Sequence, residues 1–189
     1  LTYRIERIGL TDWERLREVR LAQLLDTPMA FLETYETALA HGDEEWHSRV
    51  RRVNEPGSIG LVAVAGANAE NGAGAGAGAG VDTGAEADAG AWVGTMIGFT
   101  PEPGTAVLVG VWVHPEHRGR DRGVTDTLLD AIITWARETG AGRLLLSVHE
   151  ENTRAAAFYR RRGFDFTGGT KPYSLDPTAR ELEMSLPLV

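Results

Sequence analysis

Two stretches of this chain gather residue types whose spacing can do chemistry. The first reads Val113-His114-Pro115-Glu116-His117-Arg118-Gly119-Arg120-Asp121-Arg122-Gly123-Val124-Thr125. It lies between an apolar run at 106–112 and an amphipathic segment carrying Leu128, Leu129, Ile132, Ile133 and Trp135. A strand that feeds a glycine- and arginine-bearing turn and then a helix builds an anion site. Backbone N–H groups and the positive end of the helix dipole converge there, and arginines add formal charge. No Gly-Lys-Ser/Thr follows and no Gly-x-Gly-x-x-Gly is present, which excludes a P-loop and a dinucleotide fingerprint. The second stretch, Asn152-Thr153-Arg154-Ala155-Ala156-Ala157-Phe158-Tyr159-Arg160-Arg161-Arg162-Gly163-Phe164, opens a helix with an asparagine cap and carries a tyrosine two turns in.

Together these stretches resemble the GNAT acetyltransferase superfamily. The second matches the family's Asn-x-x-Ala-x-x-Phe-Tyr-x-x-x-Gly-Phe run at every position, and the first has its Val-x-Pro lead-in at Val113 and Pro115. The resemblance implies an α/β (α+β) fold, a mixed and mostly antiparallel sheet flanked by helices in the order β-α-α-β-β-β-α-β-α-β-β. It implies acetyl-CoA as cosubstrate and no metal. Arg118, Gly119, Arg120, Gly123, Val124 and Thr125 would hold the pyrophosphate. Val111, Trp112 and Val113 would pair with the pantetheine arm, with Asn152, Ala155, Phe158 and Tyr159 beside it.

The family pattern in the turn is Arg/Gln-x-x-Gly-x-Gly/Ala, with helix leucines three residues on, and two registers compete. Reading from Arg118 puts Asp121 at the first glycine and Asp126-Thr127 where leucines belong. Reading from Arg120 puts Gly123 and Thr125 in the small-residue slots and Leu128-Leu129 in place, and is preferred. It implies two extra residues after Pro115. It also leaves a threonine that can donate to a phosphate oxygen but crowds the backbone more than glycine would. The plain alternative is a surface loop between strand and helix.

Acetyl transfer from a thioester to an amine needs a neutral amine held against the carbonyl carbon and a donor for the oxyanion. It also needs a proton for the departing thiolate and an exit for the amine's own proton. The backbone of a strand at 105–113, which contains Gly110, can supply the oxyanion donor. By the resemblance, Tyr159 is the thiolate's general acid, a role typically worth about 10²–10⁴ in rate, and Asn152 lies beside the pantetheine or its sulfur. Core packing beside Phe158 is the alternative for Tyr159, and helix capping alone for Asn152. Residues 106–113 hold no ionisable side chain, and Ser147 stands where ribosomal-protein Nα-acetyltransferases place a glutamate. Candidate bases are therefore His149, Glu150, Glu33 and Glu36, beside a water chain; His149 has the right unperturbed pKa.

In this superfamily the region after the first helix commonly forms the acceptor wall. Here it offers Phe31, Glu33 and Tyr35, followed by Asp43-Glu44-Glu45. An acidic, aromatic lining suits a cationic amine, on a small molecule or a peptide. The alternative is a solvated helix face with both aromatics packed inside. Segment 171–177 is placed to cap the same cleft.

These residues need elements to hold them. Residues 2–8 alternate as a strand, and Thr11-Asp12-Trp13-Glu14 reads as a capping box starting a helix that runs to about Leu25. Pro28 ends that region, and 44–53 forms a second short helix. Segments 58–65 and 92–100 make antiparallel strands, and 105–113 a further strand. A helix follows over about 126–139, ended by Gly140. The nearly all-apolar strand 143–148 belongs in the sheet centre. Helix 153–162 stops at Gly163, and 164–168 and 180–187 close the sheet.

The 189 residues suit a single domain over 1–189. Segment 66–91, rich in Gly and Ala, cannot offset the entropy of ordering and reads as a flexible insertion in a surface hairpin. It holds Glu70, Asp82, Glu86 and Asp88, so four of the eight net negative charges lie in it. The acidic balance argues against a nucleic-acid partner, despite the basic turn and Arg160-Arg161-Arg162. With no cysteine, a disulfide scaffold and a thiolate nucleophile are excluded. No stretch approaches the ~20 apolar residues of a membrane span, and no signal peptide is visible, so a cytoplasmic protein without a membrane partner is expected. Arginine outnumbers lysine 18 to 1, a pattern of GC-rich bacterial coding. The expected function is N-acetyl transfer to a primary amine by direct attack in a ternary complex, by a monomer or homodimer. A non-catalytic acyl-CoA sensor is the alternative.

Overall fold

The structure, a computed structural model, describes residues 3–66 and 90–188. Of the insertion expected at 66–91, all but its ends lies outside the described residues. Seven strands form one sheet: β1 (Tyr3–Arg7), β2 (Ser58–Ala65), β3 (Trp92–Glu102), β4 (Thr105–Val113), β5 (Arg143–His149), β6 (Asp165–Tyr173) and β7 (Asp176–Pro187). Their order is β1-β2-β3-β4-β5-β7-β6. Every neighbouring pair is antiparallel except β4 and β5. The sheet is therefore mixed and mostly antiparallel, as the resemblance implies.

Strand β2 is buried over Ile59–Ala65 because helices cover both faces. Its Leu61 and Ala63 pack with helix α4 (Val124–Glu138), while Val62 and Val64 pack with α1 (Trp13–Asp26) and α3 (Asp43–Val53). Leu128, Leu129 and Ile132 of α4 are wholly buried, each contributing about 1.5–3 kcal/mol of hydrophobic stabilisation. A short α2 (Tyr35–Ala40) lies on the α1 side, and α5 (Thr153–Arg161) joins the α4 side through Tyr159.

Several boundaries differ from the expectation. Helix α1 starts at Trp13 after Asp12, and no capping box forms, because Asp12 Oδ2 turns back to accept the Gly9 N–H at 2.7 Å. A 3-10 turn at Pro28–Ala30 and the whole of α2 went unforeseen. Helix α4 begins at Val124, two residues early. Segment 171–177 is the tip of a hairpin rather than a tail, since β6 and β7 pair as far as Tyr173↔Asp176.

Two irregularities position the site. Strands β4 and β5 pair only over Thr105↔Arg143, Ala106↔Leu144 and Val107↔Leu145. Beyond that, β4 from Leu108 and β5 from Leu146 have no partner on their facing edges among the described residues. Strand β4 also bulges. Its Val109 faces Ile97 but Trp112 faces Thr95, so one extra residue is accommodated, with Gly110 at φ +62°, a conformation that disfavours any side chain.

Candidate active site

The bulge is fastened from beneath. The Thr95 hydroxyl donates to the Gly110 carbonyl at 2.8 Å, and Gln23 Nε2 donates to Thr95 Oγ1 at 2.8 Å. Both side chains are buried, so this chain from α1 through β3 fixes the Gly110 carbonyl inside the bulge. The end of β4 is held as well. Trp112 Nε1 donates to Asp26 Oδ2 at 2.9 Å, Arg118 Nε donates to the Val113 carbonyl at 2.7 Å, and Arg118 Nη2 donates to the same Asp26 carboxylate. Burial pushes the Asp26 carboxyl up, but bonds from Arg118, Thr27 and Trp112 outweigh it and hold the group below the usual carboxylate value. Gln23, Asp26 and Thr95 carry no local sequence signal. They matter only because the fold brings residues some 70 to 90 positions apart into contact.

The phosphate-type turn leads from Gly119 (φ +118°) through a 3-10 turn at Arg120–Arg122 to Gly123 (φ +67°, ψ 0°), which caps α4. The left-handed Gly123 lets the helix start abruptly. The first helical bond runs from the Thr127 N–H to the Gly123 carbonyl at 2.9 Å, so the N–H groups of Val124, Thr125 and Asp126 have no helical acceptor. Val124 is buried, Thr125 half-buried, and Asp121 and Gly119 exposed. Asp126, a carboxylate in this first turn, is bound by Arg162 at 2.6 Å, which offsets its charge and ties the end of α5 to the start of α4.

On the far side of the splay, Asn152 Oδ1 accepts the Ala155 N–H at 3.1 Å and caps α5. Tyr159 is buried, its ring 5.3 Å from Phe158 and 5.4 Å from Phe164 in edge contacts. Its hydroxyl has no hydrogen-bond partner among the described residues, and burial pushes its pKa well above the ordinary phenol value. A phenol in that state keeps its proton throughout the neutral range. His149 is buried against Tyr173, rings edge-on at 4.8 Å, and its Nδ1 accepts the Glu151 N–H at 3.2 Å. That bond assigns the neutral ring's proton to Nε2 and leaves no free lone pair. Glu150 Oε1 accepts the Arg180 N–H at 2.8 Å, and Glu36 is exposed in the first turn of α2.

The expected acceptor wall is built differently from its composition. Phe31 is buried, its carbonyl accepting the Tyr173 hydroxyl at 2.7 Å, so the β6–β7 turn is fastened over this region. Tyr35 is half-buried at the start of α2. Glu33 accepts four bonds: Arg20 Nε at 3.0 Å, Arg49 Nη1 at 2.9 Å, Arg49 Nη2 at 2.7 Å and His41 Nε2 at 2.9 Å. Burial raises its pKa, but Arg49 and Arg20 more than reverse that and bring it to about 2. The turn therefore follows the β4 end, Asn152 and Tyr159 lie on the helix that follows β5, and Glu33 is committed to a salt-bridge node. Among the described residues no cluster of three or more His, Asp or Glu could hold a metal, and no helix is long and apolar enough to cross a membrane.

Comparison with known proteins bears on this geometry. No curated protein matches the chain. Its fold is shared by yncA from Salmonella typhimurium, a putative acetyltransferase solved with acetyl-CoA (18% identity, 100% of this chain and 95% of that one, TM-score 0.69). It is also shared by the PaiA N-acetyltransferase from Thermoplasma acidophilum, solved with coenzyme A (16%, 99% and 99%, TM-score 0.68). A third is the ribosomal-protein-alanine N-acetyltransferase from Brucella melitensis (23%, 97% and 99%, TM-score 0.68). The family profile for the GNAT acetyltransferases matches residues 61–164, from β2 through both irregular strands to the end of the α5 motif. The chain belongs to the GNAT acetyltransferase family.

Proposed function

We propose that the chain is one domain that transfers acetyl from acetyl-CoA to a primary amine by direct attack, with both substrates bound together. The observation that carries this reading is the splay of β4 from β5, flanked by the Gly123-capped start of α4 and by Tyr159 on the helix that leaves β5. Two unpaired strand edges and a helix start with free N–H groups fit a ligand that has an amide-bearing arm and an anionic end. Gly119, Arg120, Gly123, Val124 and Thr125 would hold the pyrophosphate, with Arg118 bracing the turn from within. Val111, Trp112 and Val113 would take the arm, with Asn152, Ala155 and Phe158 beside it.

When bound, acetyl-CoA supplies an acetyl group activated as a thioester. The chain's own contribution begins with position: the bulge at Gly110, locked by Thr95 and Gln23, presents β4 backbone N–H groups to the developing oxyanion. Tyr159, protonated and without a hydrogen-bond partner among the described residues, donates to the leaving sulfur. The amine's proton leaves to solvent water. His149 holds Tyr173, and through it the β6–β7 turn, against the acceptor region. Lack of cysteine suits a reducing cytoplasm, and arginine usage suits a GC-rich bacterial genome.

Titration with acetyl-CoA and CoA by calorimetry, beside a thiol-release screen over primary amines, tests the proposal. Binding with release for one amine class is expected; absence of binding refutes it. A second reading, an acyl-CoA sensor, is favoured by one observation: of the candidate carboxylates, Glu33 and Glu150 are already bonded and Glu36 is exposed. Tight binding with no release from any amine would select it.

A further inference from the structure

The two sides of the sheet differ at the splay. On β5, Leu144, Leu146 and Val148 belong to the core beneath α4 and α5, so alternation turns Leu145, Ser147 and His149 to the α1 side. His149 marks that side, since it packs on Tyr173, whose hydroxyl reaches Phe31 in the core beneath α1 and α3. Ser147 is the first β5 residue on this side beyond the last β4–β5 pair, Val107↔Leu145. On β4 the same alternation places Val109 there, because Leu108 joins the α4 core. Val109 is 41% exposed and Ser147 is exposed, although both lie in the middle of the sheet. Leu146, Val148 and Tyr159 fill the opposite side. With Tyr159 serving the leaving sulfur from the filled side, the open side is the one from which an amine can approach.

A carboxylate stands next to Ser147 on that open side. Glu183 is its direct partner across the antiparallel β5–β7 pair, which sets the two Cβ atoms about 4.5–5.5 Å apart on one face. Glu183 is half-buried. Its Oε1 accepts the Thr167 hydroxyl at 2.7 Å, and Thr167 Oγ1 accepts the Gly169 N–H at 3.0 Å. Strand β6 slips register here, between Phe166 and Thr170, and a Cβ on Gly169 would come within 3.2 Å of Glu183 Oε1. The glycine thus leaves room for the carboxylate, and the threonine fixes one of its oxygens. Oε2 has no partner among the described residues.

The other ionisable groups on this side of β5, β6 and β7 are engaged elsewhere. Glu181 binds Lys171 at 3.3 Å, His149 is held by the Glu151 N–H and the Tyr173 ring, and Asp165 is exposed at the start of β6. Glu183 alone combines a fixed position, a free oxygen and a place beside the first open residue of β5.

We propose that Glu183 takes the proton of the acceptor amine, through a water held between its Oε2 and the Ser147 hydroxyl. This rests on the acetyltransferase reading and gives the nitrogen's proton its route to solvent. Glu183 stands one strand, about 4.8 Å, farther from β4 than Ser147 does, and a bridging water spans such a gap at little cost. The acceptor arrives as an ammonium ion. Its first proton passes through the water to Glu183 and on to solvent, which leaves a neutral amine. That amine forms the C–N bond as the C–S bond of the thioester breaks. Tyr159 gives its proton to the sulfur, and the second nitrogen proton, carried by solvent, restores it. The products are the N-acetyl amine, free CoA and one released proton.

The test is Glu183→Gln, which keeps an oxygen for the Thr167 hydroxyl and so keeps the local fold. Thiol release is followed from pH 6 to about 10, with the most active amine from a screen of amino acids, dipeptides and polyamines. At pH 7 the variant should lose at least tenfold in kcat/KM. The deficit should shrink as pH rises toward the amine's own pKa, where the acceptor arrives already neutral. Acetyl-CoA affinity by calorimetry should stay within twofold. Adding Ser147→Glu to Glu183→Gln returns a carboxylate one strand closer to β4 and should bring the rate within threefold of wild type. Activity of Glu183→Gln within twofold of wild type at pH 7, or a loss equal at every pH, overturns the proposal and leaves the transferase reading standing. Absence of thiol release by the wild-type protein across the whole screen refutes the transferase reading, and this role with it.

Discussion

Replacing Thr95 by valine keeps the size of the side chain and deletes the hydroxyl that serves both Gln23 and Gly110. The Gln23 amide nitrogen then sits in a buried site with no acceptor, a loss of roughly 1–3 kcal/mol. The Gly110 carbonyl, only half-buried, can recruit water and adds up to about 1 kcal/mol. A destabilisation of about 2–3 kcal/mol is expected, read as a fall in the urea midpoint with unchanged slope. Thr95→Ser is the control. It keeps the hydroxyl and gives up one buried methyl group, so it should cost about 1 kcal/mol. The same chain sets the bulge that aims the β4 backbone, so Thr95→Val should also lower kcat for thiol release by at least tenfold. Acetyl-CoA affinity should change far less. A Thr95→Val protein as stable as Thr95→Ser, or within 0.5 kcal/mol of wild type, would refute the claim that this chain fastens the bulge.

Tyr159→Phe should lower kcat for thiol release by about 10²-fold or more and leave the calorimetric affinity for acetyl-CoA within twofold. Because burial holds the phenol above its ordinary 10.0, loss of wild-type activity attributable to this acid should begin only above pH 10. An alkaline limb centred near pH 8 would contradict the assignment. Glu33 ionises near 2 in the folded protein against an ordinary 4.5, so its stabilisation is complete above pH 4.5 and lost as pH falls toward 2. Glu33→Gln should flatten the pH dependence of the urea midpoint in that window, and an unchanged slope would count against the node. Deleting 67–89 should leave Tm within a few degrees, because the Gly90 N–H closes on the Ala65 carbonyl at 2.9 Å and the Ala65 N–H on Ala91 at 3.0 Å; a large drop would mean the deleted residues pack against the body.

What was legible in the sequence was local. The α5 motif could be read because cap, small residues and aromatic ring all sit within thirteen positions, and the sequence of strands along the chain followed from the resemblance those residues carry. The leucines that follow pick out Gly123 as the glycine of the turn, and in the structure it caps α4. The helix begins two residues before the expected start, and Asp126, in its first turn, is the partner of Arg162. Helix α2 was missed because it is six residues long, too short for a periodic pattern to emerge. Glu33 shows the deeper limit. Counting acids in segment 29–45 suggests a negative wall, but Arg20 and Arg49, from two other helices, neutralise Glu33. Charge along a chain does not reveal charge in a cavity when the partners come from elsewhere.

The joint of β4 and β5, only three residue pairs long, makes the sheet two plates sharing a short seam. A thioester cosubstrate lying along the open part of that seam, as proposed, would act as mortar between the plates. A ligand at a hundredfold excess over its Kd adds about 2.7 kcal/mol of resistance to unfolding. On that placement, acyl-CoA would govern the resistance of the protein to unfolding as well as the rate of acetylation. With the cosubstrate withheld, the seam should open more often, and limited proteolysis with and without CoA would read the difference.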